Sequence, residues 1–155
     1  MRGVFAVYLH KIMITVDKAE LRRRELEEAK ALIQKAKTDL AGITVIENRI
    51  YEDPDGVSSV AQNAYLAALK AVNAYLLHVG VDSARLPAEI HEFGQAVDRL
   101  NCRHRLIPML TVAYQNLHLF GYHRKAVSVD LIKAGVRNAE DVVKLMEQLI
   151  VKGDA

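Results

Sequence analysis

The chain has 155 residues, 51% of them hydrophobic and only three of them proline; one domain of this length buries a core without metals or disulfides, and its Ala, Leu and Val content favours helices over a sheet. Twenty-one lysines and arginines against 19 acids leave a net charge of +2, too small to mark a nucleic-acid binder unless the cations cluster. The single cysteine, Cys102, excludes a disulfide-built scaffold and fits a reducing, cytoplasmic setting.

Residues 1–16, MRGVFAVYLHKIMITV, begin like an export signal, but His10 and Lys11 cut the apolar run short and no small-residue cleavage site follows. The run is also too short to span a membrane. We read it as an N-terminal arm that packs on the bundle or on another subunit, ahead of a helical-bundle domain over residues 17–155. Asp17 is the expected N-cap of helix one, in which Leu26, Ala29, Ile33, Ala36 and Leu40 repeat at 3, 4, 3 and 4 up to Gly42. Its Arg22, Arg23 and Arg24 are offset by Glu25, Glu27 and Glu28, the pattern of a solvated helix face.

Residues 43–56 break the helical period, ending in the turn sequence Asp53, Pro54, Asp55, Gly56, and a short strand from Thr44 to Ile50 remains open. Helix two is expected from Val57 to Val79, capped near Ser58 or Ser59 and stopped by Gly80. Its alanine stripe lets neighbours approach closely, which marks the central helix; Tyr65 and His78 sit on its flanks. Pro87 should open a shorter helix through Ile90, Phe93, Val97 and Leu100. The helix from Arg105 to Phe120 carries Leu106, Leu110, Ala113, Leu117 and Phe120, with Gly121 as its stop, and Pro108 fits only within its first turn. Ser128 caps the last helix, whose seam runs from Val129 through Ile132, Val136, Ala139, Val143 and Met146 to Ile150. Gly135 weakens that helix unless a neighbouring backbone comes close there. The expected fold is all-α, an antiparallel four-helix bundle with an extra short helix and the N-terminal arm, helix two and the Arg105 to Phe120 helix being the most buried.

Tyr114 and His118 stand four apart, where side chains meet on a helix surface. With Tyr122, His123 and Arg124 they form the candidate ligand site, a cleft at the end of the bundle suited to phosphate or another small anion. The competing reading is a buried His118 held by Tyr114 or by a backbone carbonyl. Arg103, Arg105, Arg124 and Lys125 make a nucleic-acid patch only if they converge on one face. The chain has no Gly-rich phosphate loop, no cysteine pair and no His-Glu-x-x-His. No two histidines are three or four apart, His118 and His123 being five apart, so no metal site and no cofactor are expected. Cys102 and His104, two apart, diverge on a helix and make a weak nucleophilic pair.

The stretches Ala64 to Val81 and Ala113 to Gly135 resemble a family of small bacterial helical proteins catalogued as a domain of unknown function, with a helix order spanning Ala19 to Leu149. The specific part is Ala-Tyr-x-x-Leu-His-x-x-Gly-Tyr, met by Ala113, Tyr114, Leu117, His118, Gly121 and Tyr122. That family is similar in architecture to HEPN proteins, which implies a helical bundle, a homodimer and nucleotide or RNA as a partner. HEPN ribonucleases carry an Arg followed four to six residues later by His; Arg99 and His104 meet that spacing, although Leu100 stands where active members usually have a polar residue. The resemblance implies that Arg99 would stabilise a pentavalent phosphate while His104 handles a proton. The expected function is a non-enzymatic binding or structural bundle acting as a homo-oligomer, with a HEPN-like nucleotide- or RNA-binding module as the alternative.

Overall fold

Helix α1 runs from Arg2 to Ala41 without interruption, because no glycine or proline occurs between Val4 and Ala41 to end it. The structure, a computed structural model, describes residues 2–153, excepting the side chains of residues 2, 5 and 12–16. Asp17 therefore lies inside the helix and is not the expected N-cap: the amides after it are already within the helical ladder. Helix α2, Pro54–His78, packs antiparallel on α1, with Lys70 Nζ 2.7 Å from Glu28 and Lys18 facing Asp82 at 3.6 Å. Since His78, the last residue of α2, meets Arg22 at 3.5 Å, the first turns of α1 project past the end of α2. Val4, Val7 and Tyr8 stay 79%, 58% and 63% exposed, so these side chains do not pack on the bundle, the first of the two placements expected of the arm.

Val45–Ile46 (β1) pairs antiparallel with Ile50–Tyr51 (β2), so the span Thr44 to Ile50 is not one strand but folds back on itself as a hairpin. Glu47 and Asn48 make the turn at φ 52° and 59°. This hairpin is tied to the start of the last helix, Tyr51 N donating to Val127 O and Val129 N to Arg49 O, both at 2.9 Å.

Helix α2 begins three residues before the expected Val57. Asp53 is its cap, accepting from Gly56 N at 3.0 Å, and Pro54 occupies the first turn, so the apparent turn sequence is a helix start. The helix ends as expected at Gly80, which takes φ 106°. Ala61, Ala64, Ala67, Ala68, Ala71 and Ala74 are fully buried, and the helix contacts α1, α5 and the π-helix described below.

Pro87 does not open helix α3, Ile90–Asp98. Glu92 reaches back to accept from Ala88 N and Glu89 N at 2.7 and 3.0 Å, and this places the start at Glu89. Helix α4, Arg103–Ala113, passes without a break into a π-helix, Tyr114–His123. Pro108 lies beyond the first turn, contrary to the expectation. His104, whose carbonyl loses its amide donor there, is exposed, so water can replace the missing bond. Gly121 is not a stop either, since the helix continues through it to His123.

Helix α5, Val129–Val151, starts as expected, Ser128 accepting from Leu131 N. It buries nine residues and, after α2, supplies most of the core. The segment from Arg105 to Phe120 is less buried than expected: Leu106, Ala113 and Leu117 are enclosed while Leu110 and Phe120 are only partly so. The wider π turn shifts Phe120 off the seam that begins at Leu106. The fold is all-α, a bundle of α1, α2, α4 with its π continuation, and α5, with α3 lying against α4; no described helix is long and apolar enough to cross a membrane.

Candidate functional site

The π-helix decides the geometry of the site. Its hydrogen bonds span five residues, as in Arg124 N to Leu119 O at 3.1 Å, so side chains five apart stack over one another. His118 and His123, both in the expected ligand site but set aside as a metal pair because they are five apart, consequently meet with Nε2 atoms 3.3 Å apart and rings edge-on at 4.5 Å. Tyr114 lies 5.5 Å from His118 at an interplanar angle of 25°, and Tyr122 lies 6.3 Å from His118 and 5.0 Å from His123. Tyr114 and His118 thus meet through ring faces, with the imidazole nitrogen turned to His123.

The fifth ring comes from α2. Tyr65, read from sequence as a flank position, is buried and stacks on His118 at 4.9 Å and beside Tyr114 at 6.2 Å. Its only sequence signal is a bulky aromatic inside an alanine stripe, which does not reveal what it faces. The approach depends on Gly121, where a Cβ would sit 2.7 Å from Ala61 Cβ, so the π-helix backbone lies directly on α2. Ser58 Oγ donates to Tyr122 O at 3.4 Å, and Asn116 Nδ2 donates to Leu131 O at 3.0 Å, tying the π-helix to both neighbours.

Burial, with Tyr114 as a smaller cause, pushes the Tyr65 phenol up to about 12. Burial, and then the charge of His123, holds His118 below its ordinary 6.5. The unfolded chain therefore takes up this proton before the folded one does. Stability contributed by neutral His118 is present above pH 6.5 and lost as pH falls from there through the lower pKa of the folded state. Melting temperatures followed downward from about pH 7.5 to 5 should fall more steeply for the wild type than for His118→Gln, and parallel curves would contradict the assignment.

The cationic set does not converge. Arg103 and Arg105 occupy the first turn of α4, whereas Arg124 and Lys125 follow the π-helix, roughly 30 Å away along a continuous helical rod. Arg124 rests over the Phe120 ring at 5.1 Å, and Lys125 Nζ pairs with Asp55 at 2.8 Å. Arg99 caps the end of α3 and His104 lies in the first turn of α4; both are exposed, and the described contacts hold no bond between them. Burial raises the Cys102 thiol above its ordinary range, which disfavours a thiolate beside His104.

The cleft that Tyr65 and Tyr114 line is a different one from that expected at the end of the bundle. It lies between α2, α3 and α4, has a volume of about 520 Å³ and is lined by Tyr65 and Tyr114 but not by His118, Tyr122, His123 or Arg124.

Fold and site together define an all-α bundle with a ring cluster built on a π-helix. A solved protein of unknown function from Dyadobacter fermentans is similar in fold, with a TM-score of 0.66 and 19% identity over 81% of this chain and 96% of that one. The chain belongs to the family described as a domain of unknown function (DUF5618), which matches residues 24–148 and so takes in the ring cluster and the cleft. No curated protein matches it.

Proposed function

We propose that this protein is a non-enzymatic binding protein whose ligand site is the cleft between α2, α3 and α4. The cleft itself carries this reading: about 520 Å³ is the size of a small-molecule site, and Leu69, Phe93, Ile107 and Leu110 give it apolar walls around Tyr65 and Tyr114. His91, Gln95, Asp98 and Thr111 supply a few polar groups to orient a mostly apolar ligand. The Tyr65 phenol, kept protonated by burial, offers a hydrogen bond and not a proton-transfer group. The nucleotide- or RNA-binding alternative needs a converging cationic surface, and its four cations lie at two ends of one rod.

Self-association belongs to the same reading. Val4, Val7 and Tyr8 form an exposed apolar face on the projecting turns of α1, which suits the matching face of a second copy.

Gly94 gives the test. It lines the cleft from α3, and a Cβ there would meet no atom within 4 Å, so a side chain can start there freely and Gly94→Trp sets an indole at the cleft wall. An uncharged apolar reporter dye should bind the wild type and lose at least about tenfold in affinity to Gly94→Trp, with the melting temperature retained. Equal dye binding by the two proteins would remove the cleft as the site. Light scattering on the wild type should give twice the 17.3 kDa chain mass, and a monomer mass would remove the self-association.

A further inference from the structure

We infer that a second cleft, between α1, the β hairpin and α5, binds an amphiphilic organic anion, with its oxyanion head held by Lys133 and Arg137, the Tyr51 hydroxyl donating to it, and its apolar body on the floor beneath. This cleft shares no residue with the one between α2, α3 and α4 and has a volume of about 540 Å³, within the range of small-ligand sites.

Its floor is apolar: Leu40 of α1, Ile43 and Val45 leading into the hairpin, and Val136 of α5. Its rim carries Lys37, Lys133, Arg137 and Lys144 against Glu140 and Asp141, a surplus of two positive charges. These cations are not equivalent. Glu140 already holds Lys37 and Lys144, each at 2.7 Å. Lys133 and Arg137 have no ion pair or hydrogen bond among the described residues, and Asp141, four residues on, does not engage Arg137 either. Being four apart on α5, the two cations rise on one face within reach of a single oxyanion, and the guanidinium can grip it with two parallel bonds.

Surface lysines alone would not make a site. The independent observation is Tyr51, which lines the same cleft, is 2% exposed and has a solvent-shielded hydroxyl without a hydrogen-bond partner. Buried hydroxyls are almost always bonded, so an orphan one in the wall of a cationic cleft calls for an acceptor. Burial raises the phenol pKa and keeps that group a donor. An oxyanion in this cleft would give the hydroxyl an acceptor and the two free cations a counter-charge, and an alkyl or aryl body would cover the floor.

The test uses octyl phosphate and octanoate as the two head types, with octanol and inorganic phosphate as controls for a missing charge and a missing body, all by isothermal titration below micelle-forming concentrations. At least one octyl anion should bind the full chain, both controls should bind at least about tenfold more weakly, and Arg137→Ala should weaken binding at least about tenfold at unchanged melting temperature. The tighter anion tells whether the head is a phosphate or a carboxylate. Tyr51→Phe should weaken binding several-fold without lowering the melting temperature of the free protein, because the lost hydroxyl had no partner there. Gly94→Trp should leave this binding unchanged, which separates it from the dye site. The inference is overturned if neither octyl anion binds, if octanol or inorganic phosphate binds as tightly, if Lys133→Ala and Arg137→Ala together leave affinity unaltered, if Tyr51→Phe binds as tightly or melts lower, or if Gly94→Trp abolishes the binding.

Discussion

Leu117→Ala should destabilise the protein by about 2–5 kcal/mol, and Gly135→Ala, harmful alone, should become less harmful in that background. Leu117 is fully buried, and its Cδ2 and Cγ lie 2.6 and 2.7 Å from where a Cβ on Gly135 would stand. The π-helix thus places a leucine in a notch that α5 opens by having no side chain there. Gly135→Ala alone closes the notch and drives Leu117 out of its position, costing about 1–3 kcal/mol despite the better helix propensity of alanine. Shortening Leu117 empties the space into which the new methyl then fits. Urea unfolding of both single variants and the double variant should show a double loss smaller than the sum by about 1 kcal/mol or more. Simple additivity would mean that the two positions do not share this space.

Gly121→Ala should also destabilise the fold, here by pushing two backbones apart. Its Cβ would stand 2.7 Å from Ala61 Cβ and 3.1 Å from Ile132 Cδ1. Ile132 can turn a terminal methyl away, but Ala61 has no torsion to relieve the contact and can yield only if α2 moves. A cost of about 1–3 kcal/mol corresponds to a fall of roughly 2–12 °C in melting temperature for a chain of this size. The displacement should also lift His118 from Tyr65, now at 4.9 Å, and bring the imidazole pKa back toward 6.5 in an NMR titration. Ala61→Gly in the same chain should restore both properties. A Gly121→Ala protein that melts with the wild type would refute the close approach.

The course of α2 and α5 was legible because each repeats its buried positions at helical spacing and ends on conventional chemistry, Gly80 in one case and Ser128 at the start of the other. Family membership was legible as well, from the pattern between Ala113 and Tyr122. The errors at helix starts were competitions between two valid signals. Asp53 and Pro54 can open a turn or a helix, and Pro87 lost to the reciprocal bonding of Glu92 with the backbone at Ala88 and Glu89. Asp17 has the chemistry of a cap, but no glycine or proline between Val4 and Asp17 obliges a helix to begin there.

The site was only half legible, for a different reason. Tyr114, His118 and Tyr122 could be grouped because steps of four work as neighbours in any ordinary helix, and the structure keeps them together. His123 enters the expected site from sequence as the neighbour of Tyr122, but its contact with His118 comes through a widened turn that no spacing rule for α-helices anticipates. Tyr65 and the set of Lys37, Tyr51, Lys133 and Arg137 belong to segments far apart in sequence, and their meeting depends on how the helices are rotated against one another.

The π-helix also makes chain length part of the site. Each residue of an α-helix turns by about 100°, so a one-residue deletion between Tyr114 and His118 that let the stretch close as α-helix would leave His118 and His123 five residues apart on a regular helix, about 140° around it from one another. His123 would swing away from His118, although every ring in the cluster would still be encoded. Among relatives of this chain, a gap in an alignment at this point would therefore say more about loss of the site than the replacement of any one of its rings.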